Sequence, residues 1–175
     1  SQLYTEELQM AGEEKISGED FVSECLVESD LELLFPNEYI PSSSERMLLY
    51  RELDGLELDK DVLDFKARLE DRFGKVPTEG QELLRIVPLR RLAKRLGAEK
   101  VVLKAERMVL YFVSNPDSPF YQSIAFGKVI GYMGTHPRYC NLREQNGRRS
   151  MVVKNVETVE TAVSILQEIV SMESK

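Results

Sequence analysis

Histidine and cysteine are scarce in this 175-residue chain: His136 stands alone, and Cys25 and Cys140 lie far apart with no second thiol or histidine at metal-ligand spacing. A zinc site or a disulfide framework is therefore not expected, and both cysteines read as packed, reduced thiols. His136, in "GTHPRY", has no Ser, Cys or acid partner placed to form a nucleophilic dyad, so a hydrolase is poorly supported and a loop histidine is the simpler reading. No run approaches the roughly 18 consecutive apolar residues that cross a bilayer. The start "SQLYTEELQM" lacks the basic and apolar regions of a secretory signal, so the expected location is cytoplasmic. Its beginning inside a helical pattern reads as a piece of a longer protein. Phosphate-binding chemistry is missing too: in "AFGKVIGYMG" the Gly127-Lys128 pair is followed by Val129 instead of a hydroxyl, and the upstream glycine is absent. Packing through small residues explains that stretch better. No internal repeat and no low-complexity tract is evident.

Charge is present in quantity but unevenly placed. Residues 1–64 carry 18 acidic and 4 basic side chains, net −14, whereas residues 65–175 carry 12 and 19, net +7. An acidic front and a basic back suit contact with other charged surfaces, although two solvated faces of one domain would give the same count. With 42% hydrophobic residues the chain can bury a sizeable core.

Periodicity locates the elements. "LYTEELQMA" has the look of a helix end, and "EEKISGED" after it reads as an acidic linker. In "VESDLELLFP" the alternation of Leu31, Leu33 and Phe35 with Asp30, Glu32 and Leu34 predicts a half-buried strand closed by Pro36, at which the folded domain would begin. Ser42 and Glu45 form a capping box for a helix carrying Met47, Leu48 and Leu49. A second helix, about residues 60–73, presents Val62, Phe65, Leu69 and Phe73 as one stripe, with Asp64 and Arg68 at the favourable acid-before-base spacing of four. The two should pack as an antiparallel hairpin. In "RFGKVP", Phe73 closes the stripe, Gly74 ends the helix and Pro77 prevents its resumption, while Thr78 and Gln81 form a second capping box.

The next helix, "TEGQELLRIVPLRRLAKRLG", changes sides. Leu83, Leu84 and Val87 point one way, and Leu89, Leu92, Ala93 and Leu96 point nearly opposite, with Pro88 at the change. A kink or break at Pro88 and two different packing neighbours follow. Beyond the proline, Arg90, Arg91, Lys94 and Arg95 make a basic stripe that ends at Gly97. "KVVLKAERMVLYFV" predicts a hairpin turning near Glu106 and Arg107. Ser118 and Pro119 begin a helix with Tyr121, Ile124, Ala125, Val129, Tyr132 and Met133 on its buried side. Asn146-Gly147 is the strongest short signal for a second hairpin, with Arg148 and Arg149 at its tip, and a last helix spans about residues 157–172. Strands grouped between helices predict an α+β fold: a helical hairpin and a kinked helix packed with small antiparallel β-hairpins and a C-terminal helix.

Several of these segments carry a family likeness. "FPNEYIPSSSERMLLYREL", then "LEDRFGKVP" and "ELLRIVPLRRLAKRLGAEKV", resemble the C-terminal domain of the bacterial transcription-repair coupling factor. The matching positions are Tyr39-Ile40-Pro41, Arg46 and Tyr50, Arg72-Phe73-Gly74 with Pro77, Leu83-Leu84, and Leu96-Gly97, within residues 29–102. "LYTEELQMA" also looks like the helix that finishes the family's translocase region. The resemblance implies that residues 1–28 are the tail of that region plus an acidic linker and that residues 29–175 are a regulatory domain without a catalytic site, metal or cofactor of its own. ATP and magnesium would belong to the motor domains of a parent that translocates on double-stranded DNA, displaces stalled RNA polymerase and recruits excision repair through UvrA. In such a parent the domain would pack on the N-terminal UvrB-like module and restrain the motor.

The basic residues are the candidate interaction surface: Arg72, Arg90, Arg91, Lys94, Arg95, Arg148 and Arg149. A solvated face, an acidic protein partner and a nucleic acid each fit them. Exposed aromatics interleaved with the cations, as a single-strand binder uses for stacking, are not evident. An accessory DNA-binding role for the basic helix is the alternative to a docking module, and a small-molecule enzyme would need a deep pocket with convergent polar groups.

Overall fold

The structure is a computed structural model that describes residues 17–173. The expected helix end in "LYTEELQMA" lies outside the described residues. Five strands form one sheet in the order β1-β2-β3-β5-β4: β1 Leu26–Ser29, β2 Ala98–Lys104, β3 Arg107–Phe112, β4 Cys140–Gln145 and β5 Arg148–Lys154. The two hairpins expected from sequence are both present, but they are not separate. β3 pairs antiparallel with β5, and β1 adds to β2 in parallel, so one mostly antiparallel sheet results. Both hairpin turns have two residues with positive φ, Ala105 and Glu106 in the first and Asn146 and Gly147 in the second, as a primed turn between twisted strands requires.

The helices are α1 Ser43–Asp54, α2 Asp59–Phe73, α3 Thr78–Leu84, α4 Ile86–Arg95, α5 Ile124–Thr135 and α6 Val159–Val170. α4, α5 and α6 contribute Leu89, Leu92, Val129, Leu166 and Ile169 to a core shared with one face of the sheet, where Val101, Leu103, Met108, Leu110, Met151 and Val153 point. A second, smaller core joins α1, α2 and α3 through Phe35, Ile40, Leu53, Phe65, Leu69, Val76, Leu84 and Val87. The molecule thus has a helical lobe and a sheet lobe. The α+β reading holds, and the two-sided helix supplies the joint between the lobes.

That joint breaks three residues before the proline, at Arg85, and not at Pro88 itself. The pyrrolidine ring would collide with the carbonyl four residues earlier, that of Leu84, so α3 has to end there. Pro88 then sits in the first turn of α4, where its missing N–H has no intrahelical partner to lose. As the periodicity indicated, Leu84 and Val87 enter the small core and Leu89, Leu92 and Ala93 enter the large one.

Other local expectations need correction. The strand is not at residues 31–35 but at Leu26–Ser29. Leu31 and Leu33 pack against the large core and Phe35 lies in the small one, so their alternation belongs to an extended connector between lobes. The acid-rich stretch before it is not a bare linker over its described part. It forms a 3-10 turn at Gly18–Asp20, and Val22 and Cys25 are buried in the large core. The Thr78–Gln81 capping box does not form: Pro77 is the N-cap, and the Gln81 side-chain amide donates to the Val76 carbonyl at 2.9 Å. At Ser42 half of the box is realised, its hydroxyl accepting from the Glu45 N–H. Arg68 pairs with Glu52 on α1 instead of Asp64. Ser118 caps only a 3-10 turn, Pro119–Gln122, and α5 starts afresh at an N-cap made by Ser123, which turns Ile124 outward and Phe126 inward.

Candidate interaction surface

α4 is the base of the candidate surface. Its underside is buried with the large core, and Arg90, Arg91 and Lys94 on the other side line a cleft of about 690 Å³. Across the cleft stand Glu19 and Glu24 from the N-terminal stretch, Asp54 at the end of α1 and Glu57 from the loop after it. The acidic front of the chain therefore meets its basic back inside one molecule. Arg90 donates to Asp54 at 3.2 Å, and Arg91 grips Asp59 with two bonds of 3.1 and 2.9 Å. Arg95 approaches Glu19 at 4.0 Å. Lys94 has no ion pair among the described residues. Cys25 lies in the same cleft, and burial pushes its thiol up to about 11 despite the opposing fields of Arg90 and Lys94. At neutral pH it is a protonated packing group. Burial also raises the Cys140 thiol.

The remaining candidate cations are elsewhere. Arg72 pairs with Glu45 across the helical hairpin, its guanidinium 4.7 Å from the Phe73 ring centre. Arg148 donates to Glu99 at 3.2 Å and lies over Tyr111. Arg149 reaches the Pro116 carbonyl at 3.3 Å, approaches Glu144 and stacks over Tyr121. The seven cations thus form three separate groups, of which only Arg90, Arg91 and Lys94 share a cleft. Exposed pairs of this kind contribute little to stability, about 0–1 kcal/mol each, but every one reduces the charge offered to an outside partner.

The family-motif residues have structural duties in the helical lobe. The Tyr39 hydroxyl donates to the Gly74 carbonyl at 2.8 Å, and burial, with the Glu70 carboxylate nearby, raises that phenol above its ordinary range. The Tyr50 hydroxyl accepts from the Phe35 N–H at 3.0 Å while its ring stacks on Phe35 at 5.4 Å. Arg46 holds the turn before α1 by donating to the carbonyls of Ile40 and Pro41. Phe73 packs edge-tilted on Tyr39, and Pro77 opens α3. Gly97 ends α4 at φ 76°, and a Cβ there would lie 2.1 Å from the Phe120 ring. His136 is likewise structural: its ring stacks on Tyr132 and Nδ1 lies 3.0 Å from the Tyr132 carbonyl. Lys128 donates to the Val170 carbonyl, capping α6.

Two features escaped the sequence reading. Glu82 is 9% exposed, and its carboxylate accepts from the Val159 and Glu160 N–H groups at 2.9 and 3.0 Å and from Arg85 at 3.1 Å. With Thr158 accepting from Thr161, it satisfies the first turn of α6 from the other lobe. Its only local signal is a carboxylate between the buried positions Gly80 and Leu84. The second feature is an apolar groove of about 520 Å³ on the helical lobe, bounded by Leu33, Leu34, Met47, Tyr50, Leu83 and Ile86. Met47 and Leu48, carried by α1, are 53% and 63% exposed, and Leu63 on α2 is 67% exposed.

Among the described residues no group of acids, histidines and cysteines could hold a metal, and no helix is long and apolar enough to cross a membrane. The TRCF domain family matches residues 29–123, more than half of the chain. The transcription-repair-coupling factor of Rickettsia bellii is 27% identical over 146 residues, covering 83% of this chain and 12% of that protein. Its counterpart in Escherichia coli K12 is 32% identical over 75 residues, 43% of this chain and 6% of that protein. The chain therefore spans about an eighth or less of the length of these relatives. A crystal structure of the C-terminal domain of transcription-repair coupling factor superposes with a TM-score of 0.63 at 16% identity, covering 83% of this chain and 93% of that one. The chain belongs to the TRCF domain family, and its fold is that of the C-terminal domain of transcription-repair coupling factor.

Proposed function

We propose that this chain is the non-catalytic regulatory domain of a transcription-repair coupling factor, a cytoplasmic ATP-driven translocase on double-stranded DNA that removes stalled RNA polymerase and recruits repair through UvrA. In this reading the domain docks reversibly on the parent's N-terminal UvrB-like module and holds the motor in check. ATP and magnesium act in the parent's motor domains. The observation that carries the docking reading is the open apolar groove at Leu33, Met47 and Ile86, together with the further exposed leucines of α1 and α2, Leu48 and Leu63. Large apolar side chains gathered at a rimmed groove mark an interaction site. The surrounding charges, Arg51, Asp54 and Arg90, are exposed or half-buried and favour a contact that can open. Because Arg90 and Arg91 are already paired, the α4 stripe offers less to duplex DNA than its sequence implied.

Calorimetric titration of the chain against the UvrB-like module tests this. Met47→Glu with Leu48→Glu should weaken binding at least tenfold, about 1.4 kcal/mol. Absence of binding by the unmodified chain at low salt would sink the proposal.

A further inference from the structure

The sheet has two faces, and the core accounts for one. Val102 and Val109 are half-buried and, like Lys100, Lys104, Arg107 and Tyr111, point away from the helices, since their neighbours Val101, Leu103, Met108 and Leu110 fill the core. Register lines this outer face into rows that run across the strands. Lys104 stands opposite Arg107, and Arg107 opposite Lys154, so three cations from β2, β3 and β5 are adjacent. Cross-strand partners on one face lie about 5 Å apart, and like charges there repel. Only Lys104 is relieved, by Glu28 at 3.6 Å; neither Arg107 nor Lys154 has an ion pair among the described residues.

The next row is Val102, Val109 and Val152, in which Val102 and Val109 are half-buried, Val152 is buried, and Glu28 on β1 stands opposite Val102. Beyond it lies a third, with Lys100 opposite Tyr111, Tyr111 opposite Ser150, and Ser150 opposite Arg143 on β4. Lys100 pairs with Glu28, whereas Arg143 is unpaired among the described residues. An apolar row is thus flanked on both sides by cations. The two basic rows are four residues apart along the strands, about 13 Å, which brackets the roughly 10–12 Å diameter of a helix. Leu26, 64% exposed on β1, stands opposite Lys100 and adds an apolar side chain at the β1 end of the third row.

We propose that this outer face is a docking site for an acidic amphipathic helix of a partner protein, its apolar stripe on Val102, Val109 and Leu26 and its carboxylates on Arg107, Lys154 and Arg143, away from Glu28 on β1. Repulsion along Lys104, Arg107 and Lys154 is stored in the free domain and released when the partner's acids arrive. A nucleic acid strand fits less well. Exposed Leu26 and the valines do nothing for a phosphate backbone, and the Tyr111 ring, the one aromatic of these rows, is approached by Arg148 at 5.3 Å and Lys100 at 5.9 Å instead of lying open to stack a base. The site lies in the sheet lobe and does not depend on the groove of the helical lobe.

The test uses the full 175-residue chain and four labelled probes: an 18-residue helical peptide with a leucine stripe flanked by glutamates, a scrambled peptide of the same composition, a 20-nucleotide single strand and a 20-base-pair duplex. The amphipathic peptide should bind, perturb the amide resonances of β2, β3 and β5, and lose at least tenfold affinity in Arg107→Glu with Lys154→Glu. Lys60→Glu, on exposed α2, should change nothing. Without peptide, Arg107→Glu alone should raise the thermal midpoint by about 2 °C by removing the like-charge contacts. Equal binding of the scrambled peptide, tighter binding of either nucleic acid, insensitivity to the double reversal, or a midpoint that fails to rise would each overturn the proposal.

Discussion

The two lobes of this molecule are stabilised in different ways. Among the described residues, the sheet lobe buries 27 apolar side chains in one continuous core, including four aromatic rings, Phe112, Phe120, Phe126 and Tyr132. The helical lobe has eight, too few to define its shape by packing alone. Its shape depends on named polar ties, Tyr39 to Gly74, Tyr50 to Phe35 and Arg46 to the turn at Ile40 and Pro41. The residues of the family motif concentrate in the lobe with the smaller core. A large core tolerates exchange of one apolar residue for another of similar volume, whereas a hydrogen bond from one hydroxyl to one backbone group does not. The motif is therefore a record of construction, and the exposed surfaces carry the interactions.

Four changes would sharpen or break that contrast. The largest effect is expected in the sheet lobe at Gly97→Ala, where a Cβ would meet the fully buried Phe120 ring while the backbone holds positive φ. A loss of about 3 kcal/mol in denaturant unfolding is expected. A loss under about 1 kcal/mol would mean that the core yields around the Phe120 ring.

Next comes the alkaline limb of stability. The folded Cys25 thiol titrates at about 11 against 9.0 for an unburied thiol, so the folded state holds its proton more tightly than the unfolded one. Its contribution is complete below about pH 9 and is lost as pH rises through 11, about 2 kcal/mol there. Cys25→Ala should flatten the stability profile over that window, and an unchanged slope would remove the thiol from the account.

At the joint, Glu82→Ala leaves two N–H groups of α6 and Arg85 without their acceptor and should cost about 2 kcal/mol. Hydrogen exchange at Val159 and Glu160 should accelerate along with it, a readout that separates lobe uncoupling from general softening. The smallest effect is Tyr50→Phe in the helical lobe, about 1 kcal/mol for the Phe35 N–H left without its partner. If this loss were matched by trimming any apolar residue of the small core by a single methyl, the claim that polar ties define that lobe would fail.

Most helices and both hairpins were legible because their signals are local. α2 ends where Phe73 and Gly74 place its end, and Asn146-Gly147 turns the second hairpin. The alternation at residues 31–35 misled because a connector that meets one core and then another has the same period as a strand. The basic stripe on α4 was legible as a stripe but not as a surface. Asp54 and Asp59, which occupy Arg90 and Arg91, are 36 and 32 residues away, and nothing in the spacing announces them.

By itself the sequence determined the family, the α+β class, the helix termini set by glycine and proline, and the change of side around Pro88. Each follows from steric and hydrogen-bonding rules that act within a few residues. Tertiary structure decided that two hairpins and a parallel strand form one sheet, that Glu82 caps a helix 77 residues onward, and that the acidic front neutralises much of the basic back. Those outcomes rest on long-range packing, in which the partner of each charge and each strand edge is selected by the folding of the whole chain.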